Sequence, residues 1–316
     1  MRSLDPRAPN PDSVVHTLDG RVIYLKAHRC LWSGDYPENS LQAIQECYRV
    51  RVARAEIDLN ILRDADLLIT HDGQLGETTT GAGRVDQLSR GQAGQLRLRW
   101  HGEVTRYRPP LLSEVAAAIR DEEYPTLLEL DIKDFAPWPW HRVEELVRLV
   151  EPVKDRVVLS GCCDWNLRRL LEVDPGMRVG FDPAYYLDWV PLGHTSEPLP
   201  RVRGAYGYLD DHPLAKQRLG PTADYLRDRL EGLLGLVPAA RDVHLRLDMF
   251  ERMLDDGLTD VAELVHQAGA LLDVWTLDAG TPNWRRRLTR AVAAGADIVT
   301  TNTPQALAAA ARKEIH

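Results

Sequence analysis

The chain has 316 residues, 44% of them hydrophobic and 27% charged, with a formal net charge of −8. That length can carry one large α/β barrel or two smaller domains, and the mixed charge, without a basic tract, argues against nucleic acid as a partner. No apolar run is long enough to span a bilayer, and the opening MRSLDPRAPNPDSVV lacks an apolar stretch of signal-peptide length, so a cytoplasmic protein without stable membrane insertion is expected.

In chain order, short β-branched runs alternate with helical patterns, the signature of βα units and a parallel sheet. The strand candidates are VIYLKAHR (22–29), RAEIDLN (54–60), TLLELDIK (126–133), RVVLSG (156–161), RVGFD (178–182), VHLRL (243–247), LLDVWTLD (271–278) and DIVTTN (297–302). Helix candidates lie between them. They are ENSLQAIQECYR, with Leu41, Ile44 and Tyr48 at helical spacing, then LLSEVAAAIRDEE, HRVEELVRLV, DWNLRRLLEV, TDVAELVHQAG and NWRRRLTRAVAAG. Eight such strands close a (β/α)₈ TIM barrel, expected as one domain over 1–316. LLITH (67–71) lies too near strand two for a helical crossover and reads as the return arm of a hairpin. Residues 184–240 form a long insert, read as part helix. The four cysteines, Cys30, Cys47, Cys162 and Cys163, match neither zinc knuckles nor a disulfide scaffold and read as free thiols.

The hairpin raises a chemical question, because its strand carries two carboxylates. Residues two apart share a strand face, so Glu56 and Asp58 point one way while Ile57 and Leu59 point toward covering helices. A turn centred on Asp64 and Ala65 pairs Arg63 with Asp66 and sets Asp58 opposite His71. Two buried carboxylates repel unless a cation sits between them, and a hard divalent metal suits their oxygen ligands. The same parity puts Lys26 with His28, and Glu129 with Asp131 and Lys133. At the C-terminal mouth of a barrel this gathers His28, Glu56, Asp58, His71, Asp131 and Lys133. Lys26, Arg54 and Glu129 fall one layer deeper, where they are expected to pair with one another.

AHRC (27–30), PENS (37–40), AEIDLN with its return arm ITHD, and DIK (131–133) together resemble the glycerophosphodiester phosphodiesterase family. That family shows AHRG, PENT, an ExD strand, a hairpin to HD, and ExK. GETTTGAGRVDQLS (76–89), VWTLD (274–278) and TTNTP (300–304) look like its later elements, so the resemblance runs from about residue 23 to about 307 outside the insert. It implies a TIM barrel that hydrolyses a glycerophosphodiester to glycerol phosphate and an alcohol with one divalent cation, Mg²⁺ or Ca²⁺, with Mn²⁺ also open. Carried over, Glu56, Asp58 and Asp131 would hold the metal, His28 and His71 would be the acid–base pair, and Arg29 and Lys133 would bind phosphate oxygens. Glu38, Asn39 and Asp72 would orient these groups. Trp275 would form a wall of the substrate pocket, or else pack in the core.

Three residues depart from the family pattern. Cys30 stands for Gly, so the backbone there must accept a side chain, and packing is its expected role. Asp131 stands for Glu, as in the related sphingomyelinase D group, with Glu129 a rival third ligand. Asn302 stands for Asp, which puts a late structural contact in doubt rather than the chemistry. Rival readings are a lysophospholipase D or sphingomyelinase D-like enzyme acting through a cyclic phosphate, a barrel that binds a phosphorylated ligand without turning it over, and a metal-dependent sugar isomerase. The lipid reading would use Tyr185, Tyr186 and Trp189 of AYYLDWVPLG (184–193) as an apolar lid. Small water-soluble diesters are the expected substrates, because one aromatic cluster in a long loop commonly forms its own core.

Overall fold

The computed structural model describes residues 8–64, 66–192 and 202–314. Eight parallel strands close on themselves: β1 Val22–Ala27, β2 Arg54–Ile61, β3 Leu127–Ile132, β4 Val157–Gly161, β5 Val179–Phe181, β6 Ala240–Arg246, β7 Leu271–Trp275 and β8 Ile298–Thr301. β1 pairs with both β8 and β2, which seals the ring. The fold is a TIM-like α/β barrel. All eight expected strands are present. His28 and Arg29, expected at the end of β1, instead form a 3₁₀ turn, with Arg29 and Cys30 at φ 51° and 55°.

Besides a single turn at Arg90–Ala93, the helices among the described residues are α1 Leu41–Arg49, α2 Leu112–Ile119, α3 Trp140–Val150, α4 Asp164–Val173, α5 Thr222–Leu234, α6 Leu247–Asp255, α7 Val261–Gln267, α8 Trp284–Ala293 and α9 Pro304–Glu314. α1 illustrates why they form. Ser40 caps it, its Oγ accepting from the Ala43 amide at 3.1 Å. Ala43, Ile44, Cys47 and Tyr48 bury one face against outward strand residues such as Ala55 and Ile57. Each fully buried Ile or Leu in this layer contributes about 1.5–3 kcal/mol. The apolar core therefore lies between strands and helices, whereas the barrel interior carries Lys26, Glu56, Asp58, Glu129, Ser160, His244, Asp273 and Thr300, all buried. Among the described residues no helix is long and apolar enough to cross a membrane.

The hairpin exists, but its register is one residue off the expectation. The return arm Leu67–Ile69 pairs Leu59 with Ile69, Asn60 with Leu68 and Ile61 with Leu67. Asp58 consequently faces Thr70, whose amide donates to the Asp58 carbonyl at 3.1 Å, rather than His71. Ala65, at the expected turn centre, lies outside the described residues. The loop is wider than two residues because tertiary contacts hold it. Arg142 of α3 donates to the carbonyls of Leu62 and Asp64, and the buried Asp66 carboxylate accepts from the amides of Leu67 and Ser113. No local turn rule contains those partners.

The insert carries a small antiparallel sheet, in which Leu187–Asp188 and Val202–Arg203 flank Leu209–Asp210, followed by α5. The helix α6 lies in RLDMFERMLDD, which carries Leu247, Phe250 and Leu254 at helical spacing.

Candidate active site

Glu56, Asp58 and Asp131 each bring a carboxylate oxygen to within 4.8 Å of the others. β2 and β3 are parallel with Asp58 beside Asp131, so the spacing of two along β2 and the register across to β3 converge on one point. Glu56 and Asp58 are only 4% and 0% exposed, yet Glu56 Oε1 and Asp58 Oδ1 have no hydrogen-bond partner. Lys133 Nζ lies 2.9 Å from Asp58 Oδ1, an ion pair without hydrogen-bond alignment, and 2.5 Å from Asp131 Oδ2. Burial and the neighbouring Asp58 push Glu56 well above the usual carboxylate range. Burial would raise Asp58 too, but Lys133, His71 and Arg29 outweigh it and hold that group low. The protein's own cations thus stabilise only one charge of this pair. Glu38, Glu56, Asp58 and Asp131 face two cations, Arg29 and Lys133. The two surplus negative charges, the orphaned oxygens and the all-oxygen donor set fit one hard divalent cation.

Surrounding residues fix these carboxylates. Asn39 donates through Nδ2 to Asp58 Oδ2 at 2.7 Å and accepts through Oδ1 from the Asp58 amide at 3.1 Å. Arg29 donates to Glu38 Oε1 at 2.7 Å, and its backbone amide donates to Glu56 Oε2 at 2.8 Å. Cys30 is fully buried beside Cys47, whose Sγ donates to the Cys30 carbonyl at 3.6 Å. A non-glycine residue at positive φ costs roughly 1–2 kcal/mol, and this packing offsets it.

The two histidines are held by different partners. His28 Nδ1 is 2.8 Å from Asn302 Oδ1, and Asn302 donates to Asp278 through Nδ2 at 2.8 Å and through its backbone amide at 2.6 Å. A carboxylate only accepts, so the amide NH₂ of Asn302 faces Asp278 and its oxygen faces His28. His28 Nδ1 therefore carries the hydrogen, and Nε2, 3.9 Å from Glu56 Oε2, is bare. Burial, with Arg29 adding to it, pushes His28 down to about 4. His71 Nδ1 is 2.8 Å from Asp72 Oδ1, and Thr78 donates to the other Asp72 oxygen at 3.2 Å. The hydrogen bond from His71 lowers Asp72. His71 lies past the return arm, so a bend, not the ladder, positions it. Asn302, expected to affect a structural contact alone, instead touches a candidate catalytic histidine directly.

The layer below is closed by its own charges. Lys26 pairs with Glu129 and, at 2.5 Å, with Asp273. His244 Nδ1 is 2.8 Å from Asp273, and its Nε2 is 3.5 Å from Glu129. Glu129, His244 and Asp273 also bring ligand atoms within 4.8 Å, but Lys26 already stands between the two carboxylates. Arg54, expected to join Lys26 and Glu129 in one cluster, pairs instead with Asp242 at 2.8 Å. His244 and Asp242 share a face of β6, as do Asp273 and Trp275 on β7. That parity was readable in DVHLRL (242–247) and LLDVWTLD, but not the partners.

Trp275 is half-buried, with the Arg246 guanidinium 4.6 Å above its ring. Arg246 also pairs with buried Asp188 at 3.0 Å. The aromatic cluster of the insert divides. Tyr185 packs against Phe135, ring centroids 4.9 Å apart, and feels the charges of Lys133 and Asp131. Tyr186 donates to Asp164 and Trp189 packs against the core.

The closed ring of eight parallel strands defines the class, a TIM-like α/β barrel. The family model "Glycerophosphoryl diester phosphodiesterase family" matches residues 28–306, and the chain belongs to that family, whose members are phosphoric diester hydrolases. An uncharacterised protein of Sinorhizobium fredii is 31% identical over 99 residues, 31% of this chain and 24% of that protein. A glycerophosphodiester phosphodiesterase of Caldanaerobacter subterraneus is 24% identical over 152 residues, 47% of this chain and 62% of that protein. The chain thus spans less than two thirds of either curated relative. An Oleispira antarctica phosphodiesterase solved with the product sn-glycerol-3-phosphate shares the fold, with a TM-score of 0.62, 19% identity and coverage of 90% and 95% of the two chains.

Proposed function

We propose that this protein hydrolyses glycerophosphodiesters to glycerol phosphate and an alcohol, with one divalent cation, Mg²⁺ or Ca²⁺, held by Glu56, Asp58 and Asp131. The observation that carries the reading is the trio of convergent carboxylates with two buried oxygens that accept no hydrogen bond. The cation, when bound, neutralises the phosphodiester charge and polarises its phosphorus–oxygen bonds. The chain's own groups do the rest. His28, neutral with Nε2 bare, takes the proton of the attacking water. His71, held at Nδ1 by Asp72, gives a proton to the leaving alkoxide as the phosphorus–oxygen bond breaks. Arg29 contacts phosphate oxygens through its planar fork and Lys133 as a point charge. The inward packing of Tyr186 and Trp189 supports small water-soluble diesters over lysophospholipids.

A product assay tests the reading, using glycerophosphocholine, lysophosphatidylcholine and a chromogenic diester, each with and without chelator. Glycerol phosphate and choline should form from the first and fail to form with chelator. Full turnover in excess chelator would remove the cation from the mechanism, and a cyclic phosphate product from lysophosphatidylcholine would favour the lipid reading.

A further inference from the structure

The proton donor of the reaction is held by contacts that lie outside the barrel. The return arm ends at Ile69, and His71 and Asp72 lie beyond it, His71 in a bend. Asn60 steadies the backbone there, its Nδ2 donating to the carbonyls of Thr70 at 2.6 Å and His71 at 3.3 Å. The His71 ring has one hydrogen bond among the described residues, from Nδ1 to Asp72 Oδ1 at 2.8 Å. Rotation of a carboxylate about its own Cβ–Cγ bond is soft. A single bond to Oδ1 therefore leaves the carboxylate plane, and the ring with it, free to swing. Thr78 removes that freedom, because its hydroxyl donates to Asp72 Oδ2 at 3.2 Å. With one partner on each oxygen, the plane is set.

Thr78 is itself fixed from elsewhere. Its carbonyl accepts from the Arg99 amide at 2.8 Å, and the Thr80 amide donates to the Arg97 carbonyl at 2.8 Å. The Arg97 amide donates back to Thr80 Oγ1 at 2.8 Å. Thr79, between them, bridges Leu98 in antiparallel fashion and is buried. Leu98 is in turn paired on its other side, its amide donating to the Tyr107 carbonyl at 2.8 Å and its carbonyl accepting from Thr105 at 2.9 Å. Beneath this patch, Leu96 joins Leu68 of the return arm, Val85 and Leu111 in an apolar cluster separate from the main core. The Tyr107 ring meets Tyr36 edge-on, centroids 6.1 Å apart. A backbone ladder and buried apolar surface in the excursion between β2 and β3 thus place Thr78, rather than the bend that carries His71.

Resting on the phosphodiesterase reading with His71 as the proton donor, we propose that Thr78 is a positioning residue of the reaction. Its hydroxyl fixes the Asp72 carboxylate, the carboxylate fixes the His71 ring, and the excursion outside the barrel thereby aims the acid at the leaving oxygen. A misplacement of about 1 Å in a reacting group costs on the order of 10²-fold in rate. The loss is greatest where the leaving group most needs a proton.

The experiment compares Thr78→Val, which keeps the shape and removes the donor, with Thr78→Ser, which keeps the donor. Two substrates differ in their leaving group, glycerophosphocholine with a strongly basic alkoxide and a p-nitrophenyl phosphodiester with a weakly basic phenolate. Thr78→Val should lower kcat on glycerophosphocholine ~10-fold with little change in KM, and should lower it markedly less on the p-nitrophenyl diester. Thr78→Ser should recover most of the loss. In protein labelled with ¹⁵N-histidine, the His71 Nδ1–H signal, identified by its absence in His71→Ala, should persist in Thr78→Ser and broaden or vanish in Thr78→Val. Wild-type rates in Thr78→Val, equal losses on both substrates, or a Thr78→Ser variant no better than Thr78→Val would overturn the proposal while leaving the phosphodiesterase reading intact. If the wild type turns over no diester, that reading fails and the His71 signal decides by itself. Its loss in Thr78→Val supports the positioning role, and an unchanged signal sinks it.

Discussion

Two acidic clusters are stacked inside one barrel, and they differ in how their charge is met. The lower one, Glu129 and Asp273, is sealed by Lys26 and His244, all of them nearly solvent-free. Burial would lower His244, but Glu129 and Asp273 hold it protonated to about 9, so two anions face two cations. The upper one, Glu56, Asp58 and Asp131, keeps two buried oxygens without a hydrogen bond beside a partly exposed lysine. Both bring ligand atoms within 4.8 Å of one another, so proximity alone does not make a metal site. What separates the clusters is whether the protein has already supplied the compensating cation.

The strongest test of this difference is the third ligand. Asp131→Ala should abolish divalent-metal binding by calorimetry together with turnover, while Glu129→Ala should still bind metal in whatever fraction stays folded. Loss of metal in Glu129→Ala alone would reverse the roles of the two layers. Next in size, His28→Ala and His71→Ala should each lower the rate by roughly 10²–10⁴-fold. Near-normal turnover in either variant would remove that histidine from the acid–base pair.

The floor should answer in stability rather than rate. Lys26→Met leaves Glu129 and Asp273 short of a cation and should cost about 3–5 kcal/mol in urea unfolding. A smaller effect follows from pH. His244 has its folded value raised above the ordinary 6.5 to about 9. Its contribution, about 3 kcal/mol, is therefore fully present below pH 6.5 and lost as pH rises through 9. Unfolding free energies at pH 6 and pH 10 should differ accordingly in wild type and much less in His244→Gln. Smallest of all, Trp189→Ala should lower the melting temperature and reduce turnover of glycerophosphocholine and lysophosphatidylcholine by the same factor. A selective loss on the lipid would make Trp189 part of a lid.

The barrel and most of its mouth were legible in the linear order of residues. Strand parity puts Glu56 with Asp58, and Asp131 with Lys133, on one face whatever the neighbours do, because side chains alternate along any strand. The ordered short motifs carried the family, because each sits at a strand end or in the turn that follows it. Tertiary contacts decided the rest. The hairpin register depended on Arg142 and Ser113, residues far along the chain that no local turn preference includes. The pairing of Lys26 with Asp273, and of Arg54 with Asp242, required knowing which strands face each other across the closed ring. The hydrogen bond from His28 to Asn302 joins the end of the first strand to the end of the last, and only closure of the barrel brings them together. Periodicity along one strand is set by local backbone geometry, whereas partners across the barrel are set by closure, which is a property of the whole chain.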